Sequence, residues 1–299
     1  MYPNAAEPGT PGTGTPGTGT PGTLYLVPTP IGNLRDITLR ALDVLRSADV
    51  VAAEDTRKAA TLLRSHDIQA RLLSYFDHNE QARTPQLLRM LAAGQDVALI
   101  TDQGTPLVND PGYRIVTAAI AAGLPVCPLP GPSAVLTALT GAGLATHSFH
   151  YAGYLPRKSA ARRAAAGELA RVPATLIFFE APHRLLDTLG DLAEVLGDRE
   201  AALGQNLTKP GEEFVRGRLS RITAELAARD EVRGEYTLVV AGAEERPAGS
   251  EELGARLARS LLGHGVAPGV IRDVVRDVAG LSRNEAYDVV TRAREEPGS

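Results

Sequence analysis

Short apolar runs recur along the first half of the chain, each separated from the next by a stretch with helical spacing. Runs of this kind are typical of strands buried on both faces, and their alternation with helices predicts a mostly parallel sheet between helical layers. The predicted strands are 24–27, 50–53, 97–100 and 124–129. The predicted helices are 38–47, 81–93, 112–122 and 134–142. This pattern indicates an α/β fold.

The second half of the chain repeats the alternation with different strands. Strands are predicted at 175–180, 201–206 and 235–241, with a helix at 183–196. A charge-rich linker past Glu244 then leads to helical patterns at 251–262, 268–278 and 282–294. We therefore predict an N-terminal α/β domain over 23–146, a second α/β domain over 147–244 and a small helical module over 245–299.

Residues 8–23 repeat Pro-Gly-Thr and Gly-Thr units, which offer almost nothing apolar to bury. Such low-complexity composition predicts a disordered tail, placed here over residues 1–22. The repeat does not read as a phosphate-binding loop, because no strand precedes it and no Lys-Ser or Lys-Thr pair follows.

Composition narrows the classes of protein further. The formal net charge of −4 argues against non-specific coating of nucleic acid, although it allows a local basic face. The single cysteine, Cys127, cannot support an internal disulfide framework and fits a reducing compartment. No apolar run approaches the roughly 18 residues of a membrane span, and no signal-peptide pattern opens the chain. We expect a cytoplasmic protein.

Four Gly- and Pro-bearing loops follow predicted strands, at 28–36, 101–112, 130–134 and 180–184. In open parallel sheets, ligands bind at the carboxyl ends of the strands, so these loops are candidates for a shared pocket. Each loop alone is also explained as a simple turn. The Gly-x-Gly-x-x-Gly fingerprint and the P-loop pattern are absent, which counts against classical NAD and ATP enzymes. Composition alone does not identify the ligand.

Several longer motifs are more specific. They are Leu24–Thr38 (LYLVPTPIGNLRDIT), Ala52–Arg57 (AAEDTR), Asp77–Glu80 (DHNE), Thr101–Tyr113 (TDQGTPLVNDPGY), Pro128–Ala134 (PLPGPSA), Gly153–Pro156 (GYLP), Phe179–Arg184 (FEAPHR) and Leu207–Lys209 (LTK). In this order they resemble the ribosomal RNA small subunit methyltransferase I family, of the tetrapyrrole-methylase-like class III methyltransferases.

The resemblance implies two α/β domains with S-adenosylmethionine in the cleft between them. It also implies 2′-O-methylation of a cytidine in the decoding region of 16S ribosomal RNA, in the assembled 30S particle, by a homodimer. The implied cofactor contacts are Pro30, Ile31, Asp102, Gly104, Thr105, Ser133 and Ala134, with Phe179, Leu207 and Thr237 as walls from the second domain.

The chain departs from the family pattern at two places. Gln205 and Asn206 stand where an Arg-Glu pair is expected, which puts the charge balance near Lys209 in doubt. Gln103 replaces an expected small residue in the Asp-x-Gly-Thr-Pro loop, a change that a loop should tolerate.

A ribose hydroxyl is a poor nucleophile, so a base or a cation near its oxygen should assist transfer. Our hypothesis is that five polar side chains surround the acceptor ribose: Glu54, Asp55, Arg57, His78 and Lys209. The alternatives are purely structural: a helix N-cap with a surface ion pair at 54–57, a turn at His78 and a solvated lysine at 209. Metal-ligand spacing is missing, so no metal is expected.

Contact with RNA should come from a local basic segment. The candidates are Arg157, Lys158, Arg162 and Arg163, together with His183 and Arg184. A solvated helix face is the alternative for the first four. Two other functions remain open from the residues: a methylase of the same fold acting on a small tetrapyrrole or a protein, and a ribosome-binding module with a dead methylase site.

Overall fold

The computed structural model describes residues 20–244, 249–281 and 283–295. The tail predicted over 1–22 therefore lies outside the described residues except at its last three positions. The chain forms two compact units, a first that ends at Gly242 and a second that begins at Ala243. The first unit contains both sheets.

The first sheet is entirely parallel. Its strands are β1 (Leu24–Leu26), β2 (Val50–Ala53), β3 (Leu72–Ser74), β4 (Val97–Ile100) and β5 (Val126–Pro128). They lie in the order β3-β2-β4-β1-β5. Every residue of β2 and β4 is buried, as expected for central strands covered on both faces.

Four helices cover the two faces of this sheet. On one face, α1 (Leu39–Ser47) and α2 (Thr56–Ser65) contribute Leu45 and Leu63 to one core cluster. On the other face, α3 (Glu80–Ala92) and α4 (Tyr113–Ala121) contribute Leu91 and Ile115 to a second. The N-termini of α1 and α2 are capped by the side chains of Thr38 and Asp55.

A fifth helix, α5 (Ala134–Ala142), leaves the first sheet and packs on the second. Val135 and Leu139 of α5 share a core cluster with Ile177 and Val239 of the second sheet. Because this cluster also contains Ile31 from the loop after β1, apolar packing joins the two halves of the first unit.

The second sheet is mixed. Its strands are β6 (Phe149–Tyr154), β7 (Thr175–Glu180), β8 (Glu200–Gln205), β9 (Glu213–Arg218) and β10 (Tyr236–Val240). In the order β6-β7-β10-β8-β9, only the β6–β7 pair is parallel. Helices α6 (Ser159–Leu169), α7 (Leu185–Leu196) and α8 (Leu219–Ala227) supply the cluster on its other face.

The second unit contains α9 (Ser250–Gly263), α10 (Pro268–Ala279) and α11 (Arg283–Glu295). These helices share an apolar core that includes Ala258, Ile271, Val275 and Val290. In the part of the chain that the structure describes, no helix has both the length and the apolar character of a membrane span.

Candidate functional site

A cleft of about 470 Å³ lies between the strand ends of the two sheets. From the first half it is lined by Ile31, Glu54, Lys58, Asp102, Gln103, Gly104, Thr105, Val108, Asn109, Asp110, Ser133, Ala134 and Val135. From the second half it is lined by Tyr154, Phe179, Glu180, Ala181, Pro182, Leu207, Gly234, Glu235, Tyr236 and Thr237. Its volume is that of a pocket for a ligand of cofactor size.

The loop after β4 forms one wall of the cleft and is fixed by backbone hydrogen bonds. Thr29 and Gly104 exchange two N–H···O bonds, of 2.9 and 3.0 Å. Gly104 has φ +84°, and a β-carbon there would stand 3.4 Å from a methyl group of Ile31. The hydroxyl of Thr105 donates to the carbonyl of Pro132 at 2.9 Å and so ties this loop to the one after β5. Glycine at 104 lets the backbone itself line the cleft.

The opposite wall is aromatic and belongs to the second sheet. The ring of Phe179 packs edge-on against Tyr151 and Tyr154, with centroids 5.2 and 5.7 Å away. The Tyr151 hydroxyl donates to Asn109 Oδ1 at 2.9 Å, which connects this wall to the loop after β4. The two halves therefore contact each other directly at the cleft.

A second contact between the halves joins the loop after β1 to the turn after β8. The amide of Asn33 donates to the Thr208 hydroxyl at 3.1 Å. A β-carbon on Gly32 would stand 2.3 Å from Cγ of Lys209, so only glycine allows this approach. The ammonium of Lys209 pairs with the carboxylate of Glu235, which lines the cleft.

Three carboxylates give the first-sheet side of the cleft an acidic character. Asp102 accepts from the amide of Asp55 at 3.2 Å and from Lys58 Nζ at 2.7 Å. Burial raises the pKa of Glu54, and the neighbouring charge of Asp102 adds to the rise. Burial and the charge of Glu54 raise the pKa of Asp110 to about 7. Clustered acids with raised pKa values are typical of functional sites.

The structure brings together most of the cofactor contacts that the resemblance implies. All of them line the cleft except Pro30, which lines a neighbouring cavity beside Leu34 and Arg57. Pro30 lies one residue before Ile31, which does line the cleft.

The five candidate catalytic residues are not all in one place. Glu54 lines the cleft, and Lys209 reaches it through Glu235. Asp55 caps α2 and pairs with Arg57 at 2.7 Å, and both line the neighbouring cavity instead. His78 lies on an exposed turn against Phe76 and lines none of these cavities. The structure therefore does not bring Asp55, Arg57 and His78 into the lining of the cleft, and it gives no support to their hypothesised place around the acceptor ribose.

The candidate RNA contacts fall into two groups, side chains engaged in contacts within the fold and exposed side chains. Arg162 is 3% exposed and pairs with Asp191 at 2.6 Å, so its charge is not presented to a ligand. Arg184 donates to the Leu155 carbonyl at 2.7 Å and pairs with buried Glu180. Both side chains hold the second half together. Burial makes the prediction of Arg162 as an RNA contact wrong, whereas contact by the partly exposed Arg184 stays a prediction. Exposed positions remain at Arg157, Lys158, Arg163 and His183, where RNA contact stays a prediction.

The two residues that depart from the family pattern have defined partners. Gln205 accepts from Arg229 at 2.9 Å and donates to the Arg233 carbonyl at 2.8 Å. Asn206 Oδ1 accepts from the amide of Glu235 at 3.1 Å. These contacts hold the 233–235 turn at the rim, so the neutral pair supports the site without the expected charges.

Asp110 and Lys58 are among the polar residues of the cleft that sequence reasoning missed. Asp110 stands within the quoted motif 101–113, and Lys58 directly follows the motif 52–57. Their position next to motif residues was the available signal. Among the described residues, no three His, Cys, Asp or Glu side chains group to hold a metal ion.

A family model and similar known sequences assign the chain to the same family. The model of the Tetrapyrrole (Corrin/Porphyrin) Methylases matches residues 23–223. Ribosomal RNA small subunit methyltransferase I of Micromonospora olivasterospora is 58% identical over 288 residues, 96% of this chain and 92% of that protein. The protein of that name from Escherichia coli O157:H7 is 48% identical and covers 80% of this chain and 83% of its own length.

Solved structures agree on the fold. A uroporphyrin-III C-methyltransferase from Thermus thermophilus, complexed with S-adenosylhomocysteine, is 26% identical with a TM-score of 0.52 and covers 74% of this chain and 97% of its own. Diphthine synthase, at 17% identity and a TM-score of 0.56, covers 74% and 90% and shares the fold alone. The chain belongs to the tetrapyrrole methylase family, among the ribosomal RNA small subunit methyltransferase I proteins.

Proposed function

We propose that this protein transfers a methyl group from S-adenosylmethionine to the ribose 2′-oxygen of a cytidine in the decoding region of 16S ribosomal RNA. The observation that carries the proposal is the cleft between the two sheets, which is lined by residues from seven of the eight motifs on which the resemblance rests. The name of the relatives supplies the substrate, small-subunit ribosomal RNA.

The residues of the cleft fit S-adenosylmethionine. The donor carries a positive sulfonium, and Glu54, Asp102 and Asp110 place carboxylates along one wall. The backbone at Gly104 allows close approach, and the cleft volume suits a nucleoside-sized ligand. The homologue from Thermus thermophilus holds S-adenosylhomocysteine, the demethylated product of the same donor.

Bound S-adenosylmethionine supplies an electrophilic methyl group, whose bond to sulfur breaks as the bond to the ribose oxygen forms. The protein must align the acceptor oxygen and accept its proton. In this proposal Glu54 takes the proton, since burial raises its pKa and makes its carboxylate a better base at neutral pH. Lys209, held by Glu235 at the opposite wall, orients the acceptor nucleotide.

The remaining expectations belong to the same proposal. The substrate is the assembled 30S particle, the active form is a homodimer and the protein works in the cytoplasm. Arg283 and Tyr287 of the second unit are further candidates for RNA contact, with the guanidinium of Arg272 lying 5.6 Å from the Tyr287 ring centroid.

The test measures transfer of labelled methyl groups from S-adenosylmethionine to small ribosomal subunits. Glu54→Gln should lower kcat by about 100-fold or more, because it removes the proton acceptor and keeps the shape of the side chain. Lys209→Met should reduce transfer by about 10-fold through loss of orientation. His78→Ala is the matched control, since His78 lines no part of the cleft, and it should retain wild-type rates. Wild-type rates in both Glu54→Gln and Lys209→Met would refute these assignments.

Binding of the donor should depend on pH through Asp110. The raised pKa of Asp110, about 7, means that its carboxyl is largely neutral below that pH and ionised above it. A cationic donor binds the ionised form better, so its affinity should rise about 10-fold from about pH 6 to about pH 8. Calorimetry at a series of pH values measures this slope. Asp110→Asn should flatten the slope, and an unchanged slope in that variant would assign the titration to another group.

A further inference from the structure

Two cavities continue the cleft along one side of α2. The first, of about 490 Å³, shares Lys58, Asp102 and Gln103 with the cleft. The second, of about 560 Å³, shares Arg57 and Thr61 with the first. The linings of the three cavities overlap in series, and we call the surface that the two outer cavities form along α2 the α2 groove.

The α2 groove presents basic side chains at helical spacing. Arg57, Thr61 and Arg64 stand at positions i, i+4 and i+7, so they share one face of α2. Helix α2 contains no acidic residue within its bounds and has Arg57, Lys58 and Arg64 as its cations. Arg57 and Arg64 are about 10 Å apart along the axis, given a rise of about 1.5 Å per residue. The face can therefore contact more than one phosphate of a chain.

The ion pairs in the α2 groove are of the kind that a phosphate can replace. Arg57 pairs with Asp55 while its own side chain is 89% exposed, and Lys58 pairs with Asp102 while 61% exposed. Pairs with one partner in solvent contribute little free energy, so exchange for a phosphate costs little. Arg64 donates to the Thr61 hydroxyl at 3.2 Å, within the same face.

The floor of the α2 groove is partly apolar. Pro30, Leu34 and Leu62 line the cavity nearer the cleft, and Leu34 is 50% exposed. Leu72 lines the cavity farther away. Alternation of cations with apolar surface suits a single strand of nucleic acid, whose phosphates need charge and whose bases need an apolar platform.

We infer that a single-stranded segment of the substrate RNA lies in the α2 groove, with phosphates on Arg57 and Arg64, and enters the cleft past Lys58 and Gln103. This inference rests on the proposed function, because it assigns the path of the substrate to the same cleft. It differs from the sequence prediction for 157–163, which lies outside the lining of the cleft and in which Arg162 is buried.

The test compares two charge reversals on opposite faces of the first sheet. Arg64→Glu changes the α2 groove, and Arg89→Glu changes an exposed arginine of α3, on the other face. Filter binding of small ribosomal subunits without donor gives Kd, and methyl transfer gives KM and kcat. Arg64→Glu should raise Kd and KM about 10-fold and lower the salt slope of binding by about 1. Its kcat at saturating substrate, its Kd for S-adenosylmethionine and its melting temperature should stay at wild-type values. Arg89→Glu should change none of these quantities.

Equal Kd values for Arg64→Glu, Arg89→Glu and the wild type would overturn the inference. A loss confined to the double variant Arg157→Glu/Lys158→Glu would also overturn it and place the RNA on the 157–163 segment. Failure of the proposed function looks different: the wild type would then transfer no methyl group. Filter binding would still show whether RNA binds in the α2 groove, because that measurement does not depend on methyl transfer.

Discussion

Replacing Gly104 with valine should abolish detectable methyl transfer and weaken binding of S-adenosylmethionine at least about 100-fold. Gly104 has φ +84°, a conformation that a β-branched residue adopts only at a cost of about 1–3 kcal/mol. Its side-chain position also faces the cleft, where the first added carbon would already lie 3.4 Å from Ile31. Valine would therefore strain the loop after β4 and fill space that the donor needs. Calorimetry with the donor measures the loss.

Gly123→Val separates the two effects. Gly123 follows α4 with φ +69°, and a β-carbon there would meet no atom within 4 Å. The backbone strain is comparable, but the position is remote from the cleft. The melting temperature should fall by a similar amount in both variants, and only Gly104→Val should lose donor binding. Donor affinity near the wild-type value in Gly104→Val would show that the loop after β4 does not hold the donor.

Arg162→Met should destabilise the first unit by about 3 kcal/mol, because it breaks a buried ion pair. Its guanidinium pairs with Asp191 at 2.6 Å, and both side chains are more than nine-tenths buried. Although burial opposes ionisation of Asp191, hydrogen bonds from Arg162 and Ser159 hold its pKa below the usual value. Loss of Arg162 leaves a buried carboxylate with weaker partners, which is costly. Urea unfolding of the wild type and the variant measures the difference.

Arg163→Met is the matched control, one residue away. Arg163 contacts the same carboxylate at 3.3 Å, but its side chain is 43% exposed. A partly exposed pair contributes little, so this variant should lose less than about 1 kcal/mol. The double variant Arg162→Met/Asp191→Leu should recover much of the stability, because no buried charge is left alone. Similar losses for Arg162→Met and Arg163→Met would contradict the account.

The stabilisation by the Arg162–Asp191 ion pair should depend on pH. Because the folded-state pKa of Asp191 is lowered, the carboxylate's contribution to stability is fully present above the ordinary pKa of an aspartate. It is lost progressively as the pH falls from that value through the lowered folded-state pKa. The difference between the wild type and Arg162→Met should therefore shrink in acid.

The central elements of the first sheet were predictable because their signal is local. Strands 50–53 and 97–100 match β2 and β4 residue for residue, since a buried central strand is apolar at every position. Helix 134–142 matches α5, because Ser133 caps its start and Gly143, with φ +77°, follows its end.

Other elements lack that local signal. Strand β3 contains only two apolar residues, Leu72 and Leu73, which is too short a run to indicate a strand, and β9 is an edge strand with charged side chains at both ends. Strand β6 has an exposed start and a bulge between Tyr151 and Gly153. Helices α2 and α6 were considered only as alternatives, through a helix N-cap at 54–57 and a solvated helix face at 157–163. Helix α8 was not predicted. Charged residues interrupt the apolar spacing of all three helices.

The candidate site was predictable only where motifs lie at strand ends. Gly104 and Ser133 follow β4 and β5 and meet at the cleft, as parallel strands require. The burial of Arg162 was not predictable, because its partner Asp191 lies 29 residues along the chain on another helix. The raised pKa of Asp110 likewise arises from burial and from Glu54, which only the folded chain brings near.

The central claim is that the cleft delivers a methyl group to a ribose oxygen of small-subunit RNA. Mass mapping of 16S ribosomal RNA, purified from small subunits before and after incubation with this protein and S-adenosylmethionine, tests it most directly. The account predicts one new methyl group, on the ribose of a cytidine in the decoding region, and none with Gly104→Val. Identical maps before and after incubation, or a methyl group on a base, would contradict it.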